Sequence, residues 1–339
     1  TMSLFLLFNL RNLLYLIHLA STIIKYLRDT DCLIRGLILP SESGEDDRQI
    51  TYYKGDITKV ESLEEIFSDL ECNEVIVIHA AGIISIGNEV TPLLYNVNVK
   101  GTKNIIEQCM RHHVKRLVYV SSVHAIPETD EKATISETVK FSKDTVTGAY
   151  AATKAEATEA VLDAVKNGLD AVVVHPSGIV GPYDSGNNHI VQLISMCISG
   201  KLPAGVIGGY DFVDVRDVAK GCLEAAEHGT KGSCYILSNR YFTVKELLEC
   251  VRKTTGGRKK VCLPIGLARA FVPVFEWIAK VTHTRPLYTK YALYTISSNG
   301  HFTHDKATAE LGYHPRDMQT TVADTISWLR GQKVPLEAV

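Results

Sequence analysis

Tyr150-Ala-Ala-Thr-Lys154 sets a phenol and an ammonium four residues apart. On a helix this spacing puts both side chains on one face. An ammonium beside a phenol favours the phenolate, so the pair predicts a tyrosine pKa below its ordinary value. Such a phenol suits proton exchange with an alcohol or carbonyl oxygen. Alone, the pair is weak evidence, because a packed tyrosine and a solvated lysine often fall at this spacing. A second feature strengthens it. Arg116-Leu-Val-Tyr-Val-Ser-Ser122 reads as a buried strand ending in two serines. Hydroxyls at the carboxyl end of a strand lie on the ligand side of an open α/β sheet. Ser122 is therefore expected to hold a carbonyl oxygen next to Tyr150.

Elements that position such residues are visible in the first half. Apolar runs at Leu13–Ile17, Cys32–Leu39, Glu74–His79, Arg116–Ser121 and Leu169–His175 have the length and composition of parallel strands covered on both faces. Helical patterns near 19–28, 59–69, 92–112 and 147–167 separate them. This alternation predicts an α/β fold with a doubly wound, Rossmann-like parallel sheet. The second half differs, with helices expected near 188–200, 215–228, 243–254 and 265–282. We expect a dinucleotide-binding domain over 13–180 and a smaller, mostly helical substrate region over 181–335, with 205–240 returning in part to the main sheet. The apolar segment 263–282 reads as a substrate-covering helix, with a membrane-surface helix as the alternative.

Composition narrows the class. The chain has 339 residues, 45% of them hydrophobic and 22% charged, enough for a sizeable core. Its net charge of −2, without a basic block, excludes nucleic acid as the expected partner. Eight cysteines at irregular spacing form no CxxC pair, so neither a disulfide framework nor a metal site is expected, and a cytoplasmic location follows. Residues 2–24 are apolar, but Arg11 and Asn12 interrupt them. No run reaches the roughly 18 apolar residues of a membrane span.

Six motifs, in order, make the comparison specific: Gly55-Asp56-Ile57 after a strand, His79-Ala-Ala-Gly82, Asn98-Val-Lys-Gly-Thr102, the Ser122/Tyr150/Lys154 set, His175-Pro-Ser-Gly-Ile-Val-Gly-Pro182 and Asp211-Phe-Val-Asp-Val-Arg-Asp217. With them the chain resembles the extended short-chain dehydrogenase/reductases of the NAD-dependent epimerase/dehydratase superfamily. It is similar above all to the branch of 3β-hydroxysteroid dehydrogenases and dihydroflavonol reductases. The resemblance runs from about Leu13 to Leu329 and implies an NAD(P)-dependent oxidoreductase. It implies Ser122, Tyr150 and Lys154 as the catalytic set, with Asn98 supporting the lysine. Asp56 and Ile57 match positions beside the adenine, and Ala80, Ala81 and Gly82 a backbone stretch under the cofactor. Pro176, Ser177 and Ile179 match the loop against the nicotinamide, with Tyr150 and Lys154 also at the cofactor. His124, Arg216 and Tyr288 fall on the substrate side.

One family feature is absent. A strand, a TGxxGxxG turn and a helix normally bring backbone N–H groups to the pyrophosphate. Here Leu13–Ile17 reads as the first strand and His18–Leu27 as the helix, with Ala20 at the last glycine position. By that alignment about five residues, including the first two glycines, are missing between Ile17 and His18. Two or three lost charge-assisted bonds, at about 1.5–3 kcal/mol each, would weaken cofactor affinity by orders of magnitude.

The sequence therefore points to hydride exchange between NAD or NADP and an alcohol/ketone carbon on a hydrophobic small molecule. A sugar-nucleotide epimerase or dehydratase, or a non-catalytic Rossmann-like binding protein, are the alternatives. A homodimer is compatible with the pattern.

Overall fold

The computed structural model describes residues 3–8, 16–28, 30–70, 74–85, 89–127, 129, 133–184, 188–281 and 287–336. From the N-terminus the chain forms β1 (Ser3–Phe8), α1 (Leu16–Leu27), β2 (Leu33–Ile38), β3 (Ile50–Lys54), β4 (Glu74–His79), α2 (Pro92–Tyr95), α3 (Thr102–Arg111) and β5 (Arg116–Val120). Next come α4 (Ala149–Lys166), β6 (Ala171–Pro176), β7 (Gly178–Val180), α5 (His189–Ile198), β8 (Gly205–Val206), β9 (Gly209–Asp214), α6 (Val215–His228) and β10 (Cys234–Leu237). The remainder is β11 (Arg240–Thr243), α7 (Val244–Thr255), β12 (Cys262–Leu263), α8 (Ile265–Val281), α9 (Lys290–Thr295), α10 (Asp305–Leu311) and α11 (Met318–Leu329).

Seven parallel strands make the main sheet, in the order β10-β6-β5-β4-β1-β2-β3. Alternation along each strand feeds two cores. In β4, Val75 and Val77 join the layer with Ile105 of α3 and Val161 of α4. Ile76 and Ile78 join Leu19 and Ile23 of α1 and Val218 and Cys222 of α6 on the opposite face. A sheet buried on both faces requires such continuous apolar strands. A smaller sheet, β11-β9-β7, and the pair β12-β8 belong to the second half.

Two expectations are corrected. The first strand is Ser3–Phe8, hydrogen-bonded between β2 and β4 at the sheet centre. Residues 13–15 of the expected strand lie outside the described residues, and Leu16 and Ile17 open α1. Short apolar runs carry no period that separates strand from helix, and here two stand in succession. The chain is thus not cut between Ile17 and His18, and the sheet begins before residue 13. Residues 9–15 join β1 to α1, and they contain no glycine. The second correction is the helix expected near 59–69, where the structure has only a 3₁₀ turn at Val60–Leu63. Among the described residues no helix is long and apolar enough to cross a membrane.

Candidate active site

Gly148, at φ 102°, turns the chain into α4 in a conformation that a side chain would strain. The first half of α4 is lined with small buried residues, Ala149, Ala151, Ala155 and Ala157, which seat it closely on the sheet. This seating buries Tyr150 and Lys154, at 5% and 1% exposure. Lys154 Nζ donates to the carbonyl oxygen of Val120 at 2.8 Å and to the Tyr119 hydroxyl at 3.4 Å. Burial pushes its pKa down to about 7. Thr158, one turn further on, donates to the Lys154 carbonyl and meets the Ser121 hydroxyl at 2.7 Å, pinning α4 to the end of β5.

Burial raises the Tyr150 phenol above its usual range, while the Ser122 hydroxyl beside it pulls the other way. The expected depression by Lys154 is therefore not what the geometry delivers. Withdrawal from water outweighs it, and the lysine's hydrogen bonds are directed at Val120 and Tyr119. Ser122 follows β5 and caps the short turn 123–125, accepting from the His124 N–H at 3.3 Å. His175 Nδ1 bonds the Ser122 carbonyl oxygen at 2.9 Å, and the ring stacks on Phe141.

Asn98 sits in a π turn, Asn96–Gly101, between α2 and α3. Its amide donates to the Ile83 carbonyl and to Thr153 Oγ1, and its Oδ1 accepts from the Ile83 N–H at 2.7 Å. Its described contacts thus tie the segment after β4 to α4 at the residue before Lys154.

Ser122, Tyr150, Pro176, Ser177, Ile179 and His124 line one cavity of about 230 Å³ at the carboxyl end of the sheet. Its walls are mainly apolar, with Ile84, Ile190, Phe212 and Ile296 among them. His124 stacks on Tyr210 at 5.6 Å and meets Tyr150 edge-on at 6.1 Å. The other expected positions fall elsewhere. Ile57, Ala80, Ala81 and Gly82 are buried past the ends of β3 and β4, outside this cavity. Asp56 Oδ1 accepts from the Thr58 N–H and hydroxyl, closing its own turn.

Two substrate-side residues are not brought to the cleft. Arg216 is fully buried, forked onto Asp214 and paired with Asp324 at 2.8 Å. It is the second residue of α6, two positions after Asp214, the helix N-cap, which explains the local fork. Tyr288 donates to the Ala204 carbonyl at 2.8 Å instead of facing the cavity. Tyr291, three residues on, lines it together with Tyr210. Sequence reasoning quoted Asp211 only as the start of a motif and gave it no role. It is buried, accepts from the Ser177 hydroxyl at 2.5 Å and from the Asn239 N–H at 3.0 Å, and is pushed up to about 6 by burial. An aspartate flanked by the strand residues Tyr210 and Phe212 was the available signal.

The arrangement fits the nicotinamide end of a dinucleotide. In its charged form Lys154 has three protons and two described acceptors, which leaves one for a ribose hydroxyl. The phosphate end offers the N-terminus of α1 but no glycine between it and β1.

A family model described as "NAD dependent epimerase/dehydratase family" matches residues 19–237. The chain is 27% identical over 256 residues to sterol demethylase protein B of Methylococcus capsulatus, covering 74% of this chain and 77% of that protein. It is 30% identical over 248 residues to a Stigmatella aurantiaca protein named 4-hydroxy-2-methyl-3-oxo-4-farnesyl-3,4-dihydroquinoline-1-oxide ketoreductase, covering 71% and 73%. The crystal structure of gox2253 matches with a TM-score of 0.76 at 27% identity, covering 96% of this chain and 98% of that one.

Proposed function

The chain belongs to the NAD dependent epimerase/dehydratase family, and within it we propose that it interconverts an alcohol and a ketone on a hydrophobic small molecule with NAD or NADP. The observation that carries this reading is one apolar cavity holding the Ser122 and Tyr150 hydroxyls, with the Lys154 ammonium buried one turn along the same helix. No lysine or arginine is among the described residues lining the cavity. That disfavours a sugar diphosphate as substrate. Relatives named for a sterol and for a farnesylated ketone support an apolar one.

The bound nicotinamide supplies or takes the hydride. In the reducing direction Ser122 orients the ketone oxygen and Tyr150, kept protonated by burial, passes its proton to that oxygen. Lys154, in its charged form, would hold a ribose hydroxyl with the proton that Val120 and Tyr119 leave free. Asn98 fixes the register of α4, and with it the position of Tyr150. With a dinucleotide bound, Pro176, Ser177 and Ile179 would pack against the nicotinamide, Ala80 to Gly82 would back the cofactor, and Asp56 and Ile57 would stand toward the adenine.

The glycine-free residues 9–15 favour a second reading, a non-catalytic binding protein on the same fold. Titration with NADH and NADPH, followed by fluorescence, separates the two. Saturable binding of either is expected, at lower affinity than a glycine-rich loop gives. Absence of binding of both at millimolar concentration rejects the oxidoreductase.

A further inference from the structure

Between Cys250 and Phe275 the chain carries six cations, Arg252, Lys253, Arg258, Lys259, Lys260 and Arg269, and no acid, in a protein of net charge −2. Arg252 is held by Glu249. Lys253, Arg258, Lys259 and Arg269 are exposed and make no ion pair among the described residues. Apolar side chains stand among them. One side of α8 buries Ala268 and Val272 against Val206 and Leu293. The other presents Leu267 and Phe271, one turn apart, at 45% and 46% exposure. Val261, next to the cationic run, is 69% exposed, and Ile207, which follows the paired strand β8, is 58% exposed.

We propose that this face docks on an anionic lipid surface. The choice of occupant follows from charge. A second copy related by a two-fold axis would press the same patch against itself, cation on cation. A nucleic acid would satisfy the cations but leave Leu267 and Phe271 in water. An anionic bilayer satisfies both: its headgroups attract the lysines and arginines, and its acyl boundary receives the apolar side chains. The placement has a use. α8 packs on α9, whose Tyr291, Ala292 and Thr295 line the apolar cavity, and Arg269 borders an adjoining one. A docked chain would have its cavity beside the phase in which an apolar substrate dissolves. The docking itself does not depend on the proposed reaction.

Co-sedimentation of the full chain with vesicles tests it, using phosphatidylcholine alone and an equimolar mixture with phosphatidylserine. Binding to the mixture, much weaker binding to phosphatidylcholine, and loss in high salt are expected. Arg258→Glu with Lys259→Glu should reduce binding at least about 25-fold, from roughly fivefold per basic residue near the surface. Leu267→Glu with Phe271→Glu should reduce it at least about tenfold. All four positions are exposed, and thermal melts of both variants should match the parent. Failure to bind the phosphatidylserine vesicles overturns the proposal, as does binding that neither pair reduces. If the parent is a dimer that ignores vesicles and the Leu267/Phe271 pair makes it a monomer, the face belongs to a second copy and the proposal falls.

Discussion

The Lys154 ammonium donates to the carbonyl oxygen of Val120 at 2.8 Å from a side chain with 1% exposure. A single neutral acceptor and a phenol do not replace bulk water around a charge, so the pKa falls to about 7. Between about pH 7 and the ordinary lysine value, the unfolded chain binds a proton that the folded chain has released. Stability from this group therefore rises with pH across that window and is lowest below it. Lys154→Met, which keeps the length without the charge, should raise the melting temperature at pH 7. The parent should gain up to roughly 2–3 kcal/mol on that variant between about pH 7 and pH 9. Parallel melting curves for the two proteins over that range would remove the buried charge from the account.

Tyr150 lies beside the Ser122 hydroxyl in the cavity wall and is raised by burial. Tyr150→Phe deletes one hydroxyl and keeps the ring. Turnover should fall about 10²–10⁴-fold, the usual contribution of a positioned proton donor. Dinucleotide affinity, measured by fluorescence, should stay close to the parent's. Turnover retained in the variant would assign the proton to another group.

The strand–helix pair of the candidate site was legible because its signals are local. β5 ends in serines, α4 carries a tyrosine and lysine at helical spacing, and both strand ends and helix faces follow from short periods. The N-terminus was not legible. Ser3–Phe8 and Leu16–Leu27 are both apolar, and only pairing with β2 and β4 identifies which is the strand. Arg216 was misplaced for a related reason. A charged residue in a motif reads as available to a ligand, but its partner Asp324 lies 108 residues further along the chain (324 − 216). Asp211 was part of a motif but its role was not legible, because that role rests on Ser177 and Asn239, which come from other loops.

Arg216 separates structural from substrate roles. Its guanidinium is fully buried and shared between Asp214 and Asp324. Arg216→Gln leaves Asp324 without this cation and Asp214 with only the longer pair to Arg316 at 3.9 Å, and should cost about 3–5 kcal/mol of stability. The KM for an apolar ketone should not change in the folded fraction. A raised KM with an unchanged melting temperature would return Arg216 to the substrate side.

Asp211 gives Ser177 its orientation. The serine proton is committed to Oδ1, so toward the cavity the hydroxyl can only accept. Asp211→Ala removes two hydrogen bonds from a buried site and should cost about 2–4 kcal/mol. Asp211→Asn, with Oδ1 kept as acceptor, should restore most of the dinucleotide affinity that Asp211→Ala loses. Equal affinities for the two variants would show that the serine's orientation does not matter.

Acid stability sets buried groups against each other. Burial lowers His79 to about 3 and His175 to about 4, and lowers His18 as well. As pH falls below 6.5 the unfolded chain takes up protons that these folded imidazoles refuse, so stability falls. Asp211, raised to about 6, has the opposite sign: its burial penalty fades as it protonates on acidification. From pH 6.5 to about 5, His79 and His175 together contribute about three pKa units of loss and Asp211 about one unit of gain, a net loss on the order of 3 kcal/mol. Urea midpoints should therefore drop over this range. His79→Gln can still bond the Thr102 hydroxyl, which the His79 Nε2 meets at 3.0 Å, and should shallow the slope. A midpoint that holds steady or rises toward pH 5 would mean that these imidazoles take up protons in the folded chain.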